Sequence, residues 1–153
     1  MVIWTTTPWT LPANVGIALH PRFTYVAGKF MKDGQTETLI IVKELLDAFA
    51  QKTGWALAET IREFQGAELE NCEARHPFLS RTSKIILADF VTTDTGTGAV
   101  HIAPGHGADD YNAGRQYGLP VLSPVDDDGK YTEEVGVPAL VGKHVFDANK
   151  DVI

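Results

Sequence analysis

The chain has 153 residues, of which 44% are hydrophobic and 22% are charged. This length and this balance are typical of one globular domain with its own core, and they exclude a disordered protein. The 13 basic and 20 acidic residues give a net charge of −7, which argues against a protein that binds nucleic acid through a basic surface of its own.

The first predicted element contains three consecutive threonines between two tryptophans, in the stretch VIWTTTPWTLPAN at residues 2–14. Its β-branched residues favour an extended backbone, and Pro8 ends the strand because proline has no N–H to donate to a neighbouring strand. We therefore expect the hydroxyls of Thr5, Thr6 and Thr7 at the tip of a strand. Capping of nearby backbone groups is their simplest role, and a role in binding is the alternative.

The next elements are strands and one helix. Two strands are expected over residues 15–30, separated by a His-Pro pair, and a turn at Gly34 leads to a further strand. The sequence KELLDAFAQKTG, residues 43–54, predicts a helix, because its leucines and Phe49 share one face and a glycine follows.

No element is predicted in the mixed segment over residues 55–82, which contains the only cysteine of the chain, Cys72. One cysteine cannot form an internal disulfide, so we expect Cys72 to be a small core residue in a reducing, cytoplasmic compartment. We expect neither a membrane span nor a signal peptide, because no apolar stretch is long enough for the first and none precedes the first strand.

The second half of the chain predicts two strands, a helix and a hairpin. The strands are SKIILADFV and GTGAVHIAP, the helix is GADDYNAGRQYG, and the hairpin VLSPVDDDGKYTEEV turns at Asp128-Gly129. Short strands without regular alternation with helices argue against a doubly wound α/β sheet. We predict a single, mainly β domain over residues 1–153, a closed or nearly closed β-barrel with flanking α-helices, excised from a longer protein.

Four side chains that could take part in catalysis or ligand binding cluster in DTGTGAVHIAPGHGADDY, residues 94–111. They are His101, His106, Asp109 and Asp110. We predict no metal site, because the spacing of the two histidines matches no zinc-binding pattern and no cysteine accompanies them. The acidic turn near Asp128 does not fit a calcium-binding loop. A phosphate-binding loop has weak support, because no lysine follows the glycines.

A polar pocket at a strand end is the third interpretation. Taken singly, Asp109 and Asp110 would only complement the dipole of a helix, and His101 would be a hydrogen-bonded core histidine. These readings do not explain why a threonine cluster, a histidine and paired carboxylates all stand at the ends of strands.

Together, WTTTPWTLPAN and GTGAVHIAPGHGADDY closely resemble the two signature stretches of the editing domain of isoleucyl-tRNA synthetase, an insertion in the catalytic core of that enzyme. The resemblance covers essentially the whole chain. The related valyl and leucyl enzymes have a TTRP-type run in place of TTTPWT, and they have no histidine at the position of His101. The chain contains neither a HIGH-type nor a KMSKS-type motif of the synthetic site.

The resemblance implies that the domain hydrolyses valine wrongly esterified to tRNA(Ile), with valyl-adenylate as an open second substrate. By position, Thr5, Thr6 and Thr7 match the residues beside the ester. Trp9 and Asn14 match the residues that shape the pocket. Hydroxyls of threonine can bond the ester carbonyl and the ribose, and a positioned water can suffice to hydrolyse such an activated ester.

The resemblance also implies how valine is selected. His101 matches the specificity histidine, and Asp110 matches the carboxylate that binds the α-amino group of the substrate. A missing methylene changes the binding free energy of a substrate by only about 1–3 kcal/mol. Isoleucyl-tRNA synthetase, which has to distinguish isoleucine from valine, is the standard example of this limit. A second site can exclude isoleucine by a steric clash, and His101 and Trp9 are the candidates for that wall.

The implied partners are the 3′ end of tRNA(Ile) that carries valine and the remainder of the synthetase chain. No cofactor is expected. No covalent intermediate is expected either, because no serine or cysteine stands beside a base in the sequence. Two alternatives stay open. One is a non-catalytic module that only positions RNA, and the other is a free-standing deacylase for a different small amino acid.

Overall fold

The computed structural model describes residues 1–152, and Ile153 lies outside the described part. The described chain clusters into two compact units. The first contains Met1–Trp4, Ile17–Cys72 and Ile85–Val100, and the second contains Thr5–Gly16, Glu73–Lys84 and the chain from His101 onwards. Whether the chain acts as a single domain stays a prediction.

Strands supply most of the regular structure. The strands are β1 (Gly16–Leu19), β2 (Thr24–Lys32), β3 (Gln35–Val42), β4 (Ala56–Gln65), β5 (Glu73–Arg75), β6 (Thr82–Leu87) and β7 (Ala99–Ile102). The α-helices are α1 (Leu46–Thr53), α2 (Ala108–Gln116) and α3 (Asn149–Val152). Short 3-10 helices cover Pro8–Ala13, Lys43–Leu45, Gly66–Leu69, Pro104–His106, Glu133–Val135 and Pro138–Leu140. The prediction of a mainly β protein with helices is confirmed.

The predicted closed barrel is not confirmed. The described strands form a four-stranded sheet in the order β5-β6-β1-β7 and a three-stranded sheet in the order β3-β2-β4. Neither order returns to its first strand. Closure of a barrel requires a continuous ring of tilted, staggered strands, and three of the four strands in the larger sheet have only three or four residues.

The first unit confirms the predicted hairpin and helix. Strands β2 and β3 pair antiparallel, and the turn between them contains Asp33 and Gly34 with φ of 50° and 80°. Helix α1 ends at Gly54 with φ of 79°, a left-handed conformation that glycine adopts without steric cost. Phe49 of α1 packs with Phe30 in a buried cluster, as the shared apolar face of the helix predicts.

Sequence reasoning missed strand β4 and misplaced Cys72. Strand β4 pairs with β2 at the edge of the three-stranded sheet, and only Phe64 of its ten residues is buried. Because this strand has little buried surface, its sequence lacks the alternation that marks a half-buried strand. Cys72 is exposed, so the expectation of a core cysteine is wrong.

The opening segment forms an isolated β-bridge at one residue and no strand. Trp4 forms an isolated parallel bridge with Val100, and a 3-10 helix then runs over Pro8–Ala13. The hydroxyl of Thr5 accepts a hydrogen bond from the backbone N–H of Thr7 at 3.0 Å, which folds the chain locally. The predicted strand tip is therefore wrong, because this turn and a proline at the first helical position favour a helix start over a ladder.

The second unit contains its own apolar cluster, formed by residues of the last third of the chain. Its buried members are Tyr131, Val135, Leu140, Val145 and Ala148, and the half-buried Trp9 packs against them. An antiparallel bridge joins Val125 and Tyr131 around Gly129, which confirms the predicted turn. Over residues 1–152, no helix has both the length and the apolar character that crossing a membrane requires.

Candidate functional site

The candidate site is built around the 3-10 helix Pro8–Ala13 of the second unit. The carbonyl oxygen of Thr7 accepts hydrogen bonds from the backbone N–H of Thr10 at 3.1 Å and from its hydroxyl at 2.8 Å. These bonds anchor the first turn of the helix. Thr10 and Asn14 are both buried, with 5% of the surface of each exposed.

His101 lies in β7 and is hydrogen-bonded on both ring nitrogens. Its Nδ1 lies 2.8 Å from the amide nitrogen of Asn14, and its Nε2 lies 2.7 Å from the hydroxyl of Thr10. An amide NH₂ can only donate, so Nδ1 accepts and the neutral ring carries its proton on Nε2. Nε2–H then donates to Thr10, whose hydroxyl donates onward to Thr7. The donors and acceptors form one consistent chain.

The environment of His101 keeps its ring neutral. Burial, with smaller contributions from His106 and His76, lowers the pKa of His101 to about 4. Both ring nitrogens are hydrogen-bonded, and only 7% of the surface of the residue is exposed. His101 can therefore form a fixed wall of a pocket, but it is not free to act as a general base. The contacts of His101 are thus those of a hydrogen-bonded core histidine.

Asn14 is oriented by contacts on every polar atom of its side chain. The hydroxyl of Ser83 donates to Oδ1, and the amide nitrogen also donates to the carbonyl oxygen of Gly16 at 2.8 Å. These two bonds show which end of the amide is the oxygen and which is the nitrogen. This orientation is the reason that the nitrogen, and not the oxygen, faces Nδ1 of His101.

The carboxyl end of the 3-10 helix is held by two basic residues from residues 76–81. The guanidinium of Arg81 donates to the carbonyl oxygens of Pro12 and Asn14, the latter at 2.9 and 3.1 Å. His76 is oriented because its Nδ1 accepts from the backbone N–H of Leu79 at 3.1 Å, so its Nε2 donates to the carbonyl oxygen of Leu11 at 3.0 Å. Burial lowers the pKa of both His76 and Arg81.

Asp110 stands in the first turn of α2. Its Oδ2 accepts a hydrogen bond from the backbone N–H of Ala103 at 2.8 Å, while Oδ1 has no hydrogen bond to a residue within 1–152. Burial raises the pKa of Asp110, the bond from Ala103 lowers it, and the charge of Asp109 raises it. Asp109 is exposed. One oxygen of Asp110 is therefore fixed, and the other is free to accept from a ligand.

Trp9 is fixed by its backbone and by ring contacts. Its N–H donates to the side-chain oxygen of Asn149 at 3.1 Å, and its carbonyl oxygen accepts from the hydroxyl of Tyr131 at 2.6 Å. Its ring meets that of His106 edge-on, with 5.1 Å between ring centroids. Burial lowers the pKa of His106, whose Nε2 is buried without a hydrogen-bond partner in the described structure.

The structure brings together only part of the predicted set. His101 and Asn14 are in direct contact although they are far apart in sequence, and Thr7 is linked to them through Thr10. Thr6 is exposed, and Thr5 bonds within its own turn. No hydrogen bond between described residues joins Thr5 or Thr6 to His101 or Asp110.

Sequence reasoning missed four residues that shape the site: Thr10, His76, Arg81 and Ser83. Of these four residues, only Thr10 lies inside a signature motif, WTTTPWTLPAN, so only Thr10 could have been found from the local sequence. The others lie in a stretch without a recognisable pattern, and their partners are backbone carbonyls or an amide that only folding reveals. Among residues 1–152, no group of three histidine, cysteine or acidic side chains could hold a metal ion.

Solved structures show which fold the chain has. The cytosolic leucyl-tRNA synthetase editing domain of P. falciparum superposes with a TM-score of 0.74 at 11% identity, over 97% of this chain and 73% of that chain. The crystal structure of GlLeuRS-CP1 superposes with a TM-score of 0.73 at 17% identity, over 97% and 76%. The chain has the fold of a synthetase editing domain.

Sequence comparison then identifies the family. The family model for the leucyl-tRNA synthetase editing domain matches residues 3–144, and the chain belongs to this family. The isoleucine–tRNA ligase of Thermotoga maritima is 52% identical over all of this chain, and that of Desulfotalea psychrophila is 50% identical. The chain spans 16% of the length of each of these two curated relatives.

Proposed function

We propose that this chain proofreads for an isoleucyl-tRNA synthetase by hydrolysing the ester between valine and the 3′ end of tRNA(Ile). The observation that carries the proposal is the direct contact of His101 with Asn14 and Thr10, which joins the two signature motifs in one site. The 50–52% identity to isoleucine–tRNA ligases supports the choice of tRNA. Valyl-adenylate is a second candidate substrate, and the location that this function requires is cytoplasmic.

The reaction needs water, a carbonyl and a leaving hydroxyl. The oxygen of water forms a bond to the ester carbonyl carbon, the bond from that carbon to the ribose oxygen breaks, and the proton lost by water ends on the ribose oxygen. The products are valine and uncharged tRNA. Hydroxyls of Thr5, Thr6 and Thr7 are assigned to the ester and the ribose, where groups that both donate and accept are useful.

Asp110 is assigned to the substrate ammonium. The free Oδ1 supports this role, because a carboxylate with one oxygen held by Ala103 presents the other in a fixed position. Burial raises the pKa of the carboxyl group, and an adjacent ammonium would favour the ionised form again. A charge-assisted bond at such a half-buried position is stronger than one in open water.

Selection of valine over isoleucine is assigned to His101 and Trp9. Both side chains are held by hydrogen bonds or ring contacts, so a wall made of them cannot move aside without cost. Overpacking by a methylene typically costs about 1–3 kcal/mol in a rigid environment. The neutral state of His101 suits this role, because a charged ring would repel the substrate ammonium.

A deacylation assay with a panel of charged tRNAs tests the proposal. The 153-residue chain should release valine from valyl-tRNA(Ile) and spare isoleucyl-tRNA(Ile). Binding of both RNAs without hydrolysis would indicate the RNA-positioning alternative. Faster release of another small amino acid from its own tRNA would indicate the free-standing deacylase.

A further inference from the structure

The second unit has a cavity to which the proposed hydrolysis assigns no ligand. Its volume is about 520 Å³, and it is lined by residues 75–82. The lining contains Arg75, His76 and Arg81 but no aspartate or glutamate. The two arginines and the absence of an acidic residue favour an anionic ligand, although the net charge of the chain is −7.

The rim of the cavity offers groups that are free to bind. Arg75 is exposed and has no ion pair with any residue in the range 1–152. Phe78 keeps 43% of its surface exposed. Ser80 and Thr82 add exposed hydroxyls. A positive charge, an exposed aromatic ring and hydroxyls together match the phosphate, base and sugar of a nucleotide.

Two contacts hold the segment that lines the cavity. Arg75 pairs with Thr82 in the β5–β6 ladder, which fixes the two ends of the lining segment. The ring of His76 meets that of Phe78 edge-on, with centroids 4.6 Å apart. Because the pocket is shaped before a ligand enters, little conformational entropy is lost on binding.

A second cavity of the same unit provides a contrast. Its volume is about 450 Å³, and its lining includes Glu133, Val137 and Val141 but no basic residue. A phosphate would be repelled there by Glu133. Of these two cavities of similar volume, the one at residues 75–82 has the charge that suits nucleic acid.

We propose that this cavity binds one nucleotide of the single-stranded 3′ end of tRNA, with the base stacked on Phe78 and the phosphate at Arg75. The assignment rests on the proposed proofreading function. Its location supports it, because His76 and Arg81 line the cavity and also hold the carbonyl oxygens of Leu11 and Asn14. A nucleotide bound there lies beside the segment that is assigned to the ester.

The test uses the 153-residue chain with valyl-tRNA(Ile) and with an uncharged RNA oligomer that ends in CCA. Phe78→Ala should weaken binding of the oligomer about ten-fold and raise KM for deacylation correspondingly, because a base–aromatic stack is lost. Phe78→Trp should restore both values. Arg75→Gln should weaken binding and lower the slope of log K against log salt by about 0.7, which corresponds to one phosphate contact on a single strand.

The control variants are Phe90→Ala, which removes a phenylalanine of the same 43% exposure, and Arg115→Gln, which removes an exposed arginine of α2. Both should bind and hydrolyse as the parent does. Equal urea midpoints for all variants would show that each is folded.

Three results would overturn the inference. The first is that the Phe78 and Arg75 variants bind the oligomer as tightly as the controls do, while the parent hydrolyses valyl-tRNA. This result would leave the proofreading function intact. The second is equal loss in Phe78→Ala and Phe78→Trp. The third is binding of free CMP or AMP as tightly as the oligomer, which would assign the cavity to a mononucleotide. A parent that binds the oligomer through Phe78 but hydrolyses nothing would instead overturn the proofreading function alone.

Discussion

At the scale of single residues, Asp110 and His101 are assigned to different parts of the proposed substrate. Asp110 has one free carboxylate oxygen, and His101 has no free ring nitrogen. The first can therefore accept a new hydrogen bond, whereas the second can only present its surface. Their substitutions should have different kinetic consequences.

Asp110→Ala should slow hydrolysis of valyl-tRNA(Ile). Loss of a hydrogen bond to a charged group costs about 1.5–3 kcal/mol, which corresponds to roughly ten- to a hundred-fold in kcat/KM. Asp109→Ala is the matched control, because Asp109 is exposed on the same helical turn and should have little effect. The measurement is single-turnover deacylation.

N-acetyl-valyl-tRNA separates anchoring from base catalysis by Asp110. The acetylated substrate keeps the ester but has no ammonium. If Asp110 only binds the ammonium, the parent and Asp110→Ala should hydrolyse this substrate slowly and at nearly equal rates. A variant that stays much slower than the parent would assign proton transfer to Asp110 instead.

His101→Ala should relax specificity by opening the wall of the pocket. Isoleucyl-tRNA(Ile) should then be hydrolysed faster relative to valyl-tRNA(Ile) than by the parent. The substitution also leaves Thr10 and Asn14 without their partner, so urea unfolding must confirm that the variant folds. A folded variant that still spares isoleucine would shift the selective role to Trp9.

At the scale of elements, the position of the 3-10 helix Pro8–Ala13 depends on a contact from outside it. Arg81 holds the carbonyl oxygens of Pro12 and Asn14, and Asn14 in turn orients His101. A displacement at Arg81 should therefore reach the site through the helix. We therefore expect Arg81 to act as a positioning residue rather than as a catalytic one.

Arg81→Lys should lower kcat for deacylation more than it raises KM. A lysine keeps the charge but lacks the fork that reaches two carbonyl oxygens, so one buried acceptor loses its partner at a cost of about 1–3 kcal/mol. Arg115→Lys is the control, because Arg115 is exposed in α2. Unchanged kcat in Arg81→Lys, with reduced unfolding free energy, would show that the contact only stabilises the fold.

At the scale of the whole molecule, buried neutral histidines link stability to pH. Burial lowers the pKa of His101 to about 4, and it lowers the pKa of His76 and His106 in the same direction. The unfolded chain titrates near the ordinary value of 6.5 and so takes up protons first as the pH falls. The stability that depends on His101 is complete above pH 6.5 and is lost between 6.5 and about 4, and His76 and His106 add to the loss as the pH falls below 6.5.

Urea unfolding from pH 7 to pH 4 tests this linkage. His101 alone should account for a loss of about 3 kcal/mol across that interval, since each unit of pKa difference is worth about 1.4 kcal/mol. The slope should be shallower in His101→Gln than in the parent. A parent and a His101→Gln variant with parallel profiles would contradict the neutral, buried state of His101.

The sequence by itself determined the features that depend on neighbouring residues. Helix α1 and its end at Gly54, the hairpin at Gly34 and the turn at Gly129 all followed from periodicity and glycine placement, because these signals act over a few residues. The two signature motifs likewise identified the family, which the comparisons confirmed.

Only the tertiary structure decided which side chains meet and in what chemical state. Asn14 and His101 are 87 positions apart, and Tyr131 and Trp9 are 122 apart, so no local pattern records these pairs. The tautomer of His101 depends on an amide that Ser83 orients, and the role of Arg81 depends on carbonyl oxygens that every residue possesses. Backbone acceptors carry no sequence signature, and for that reason folding alone could assign them.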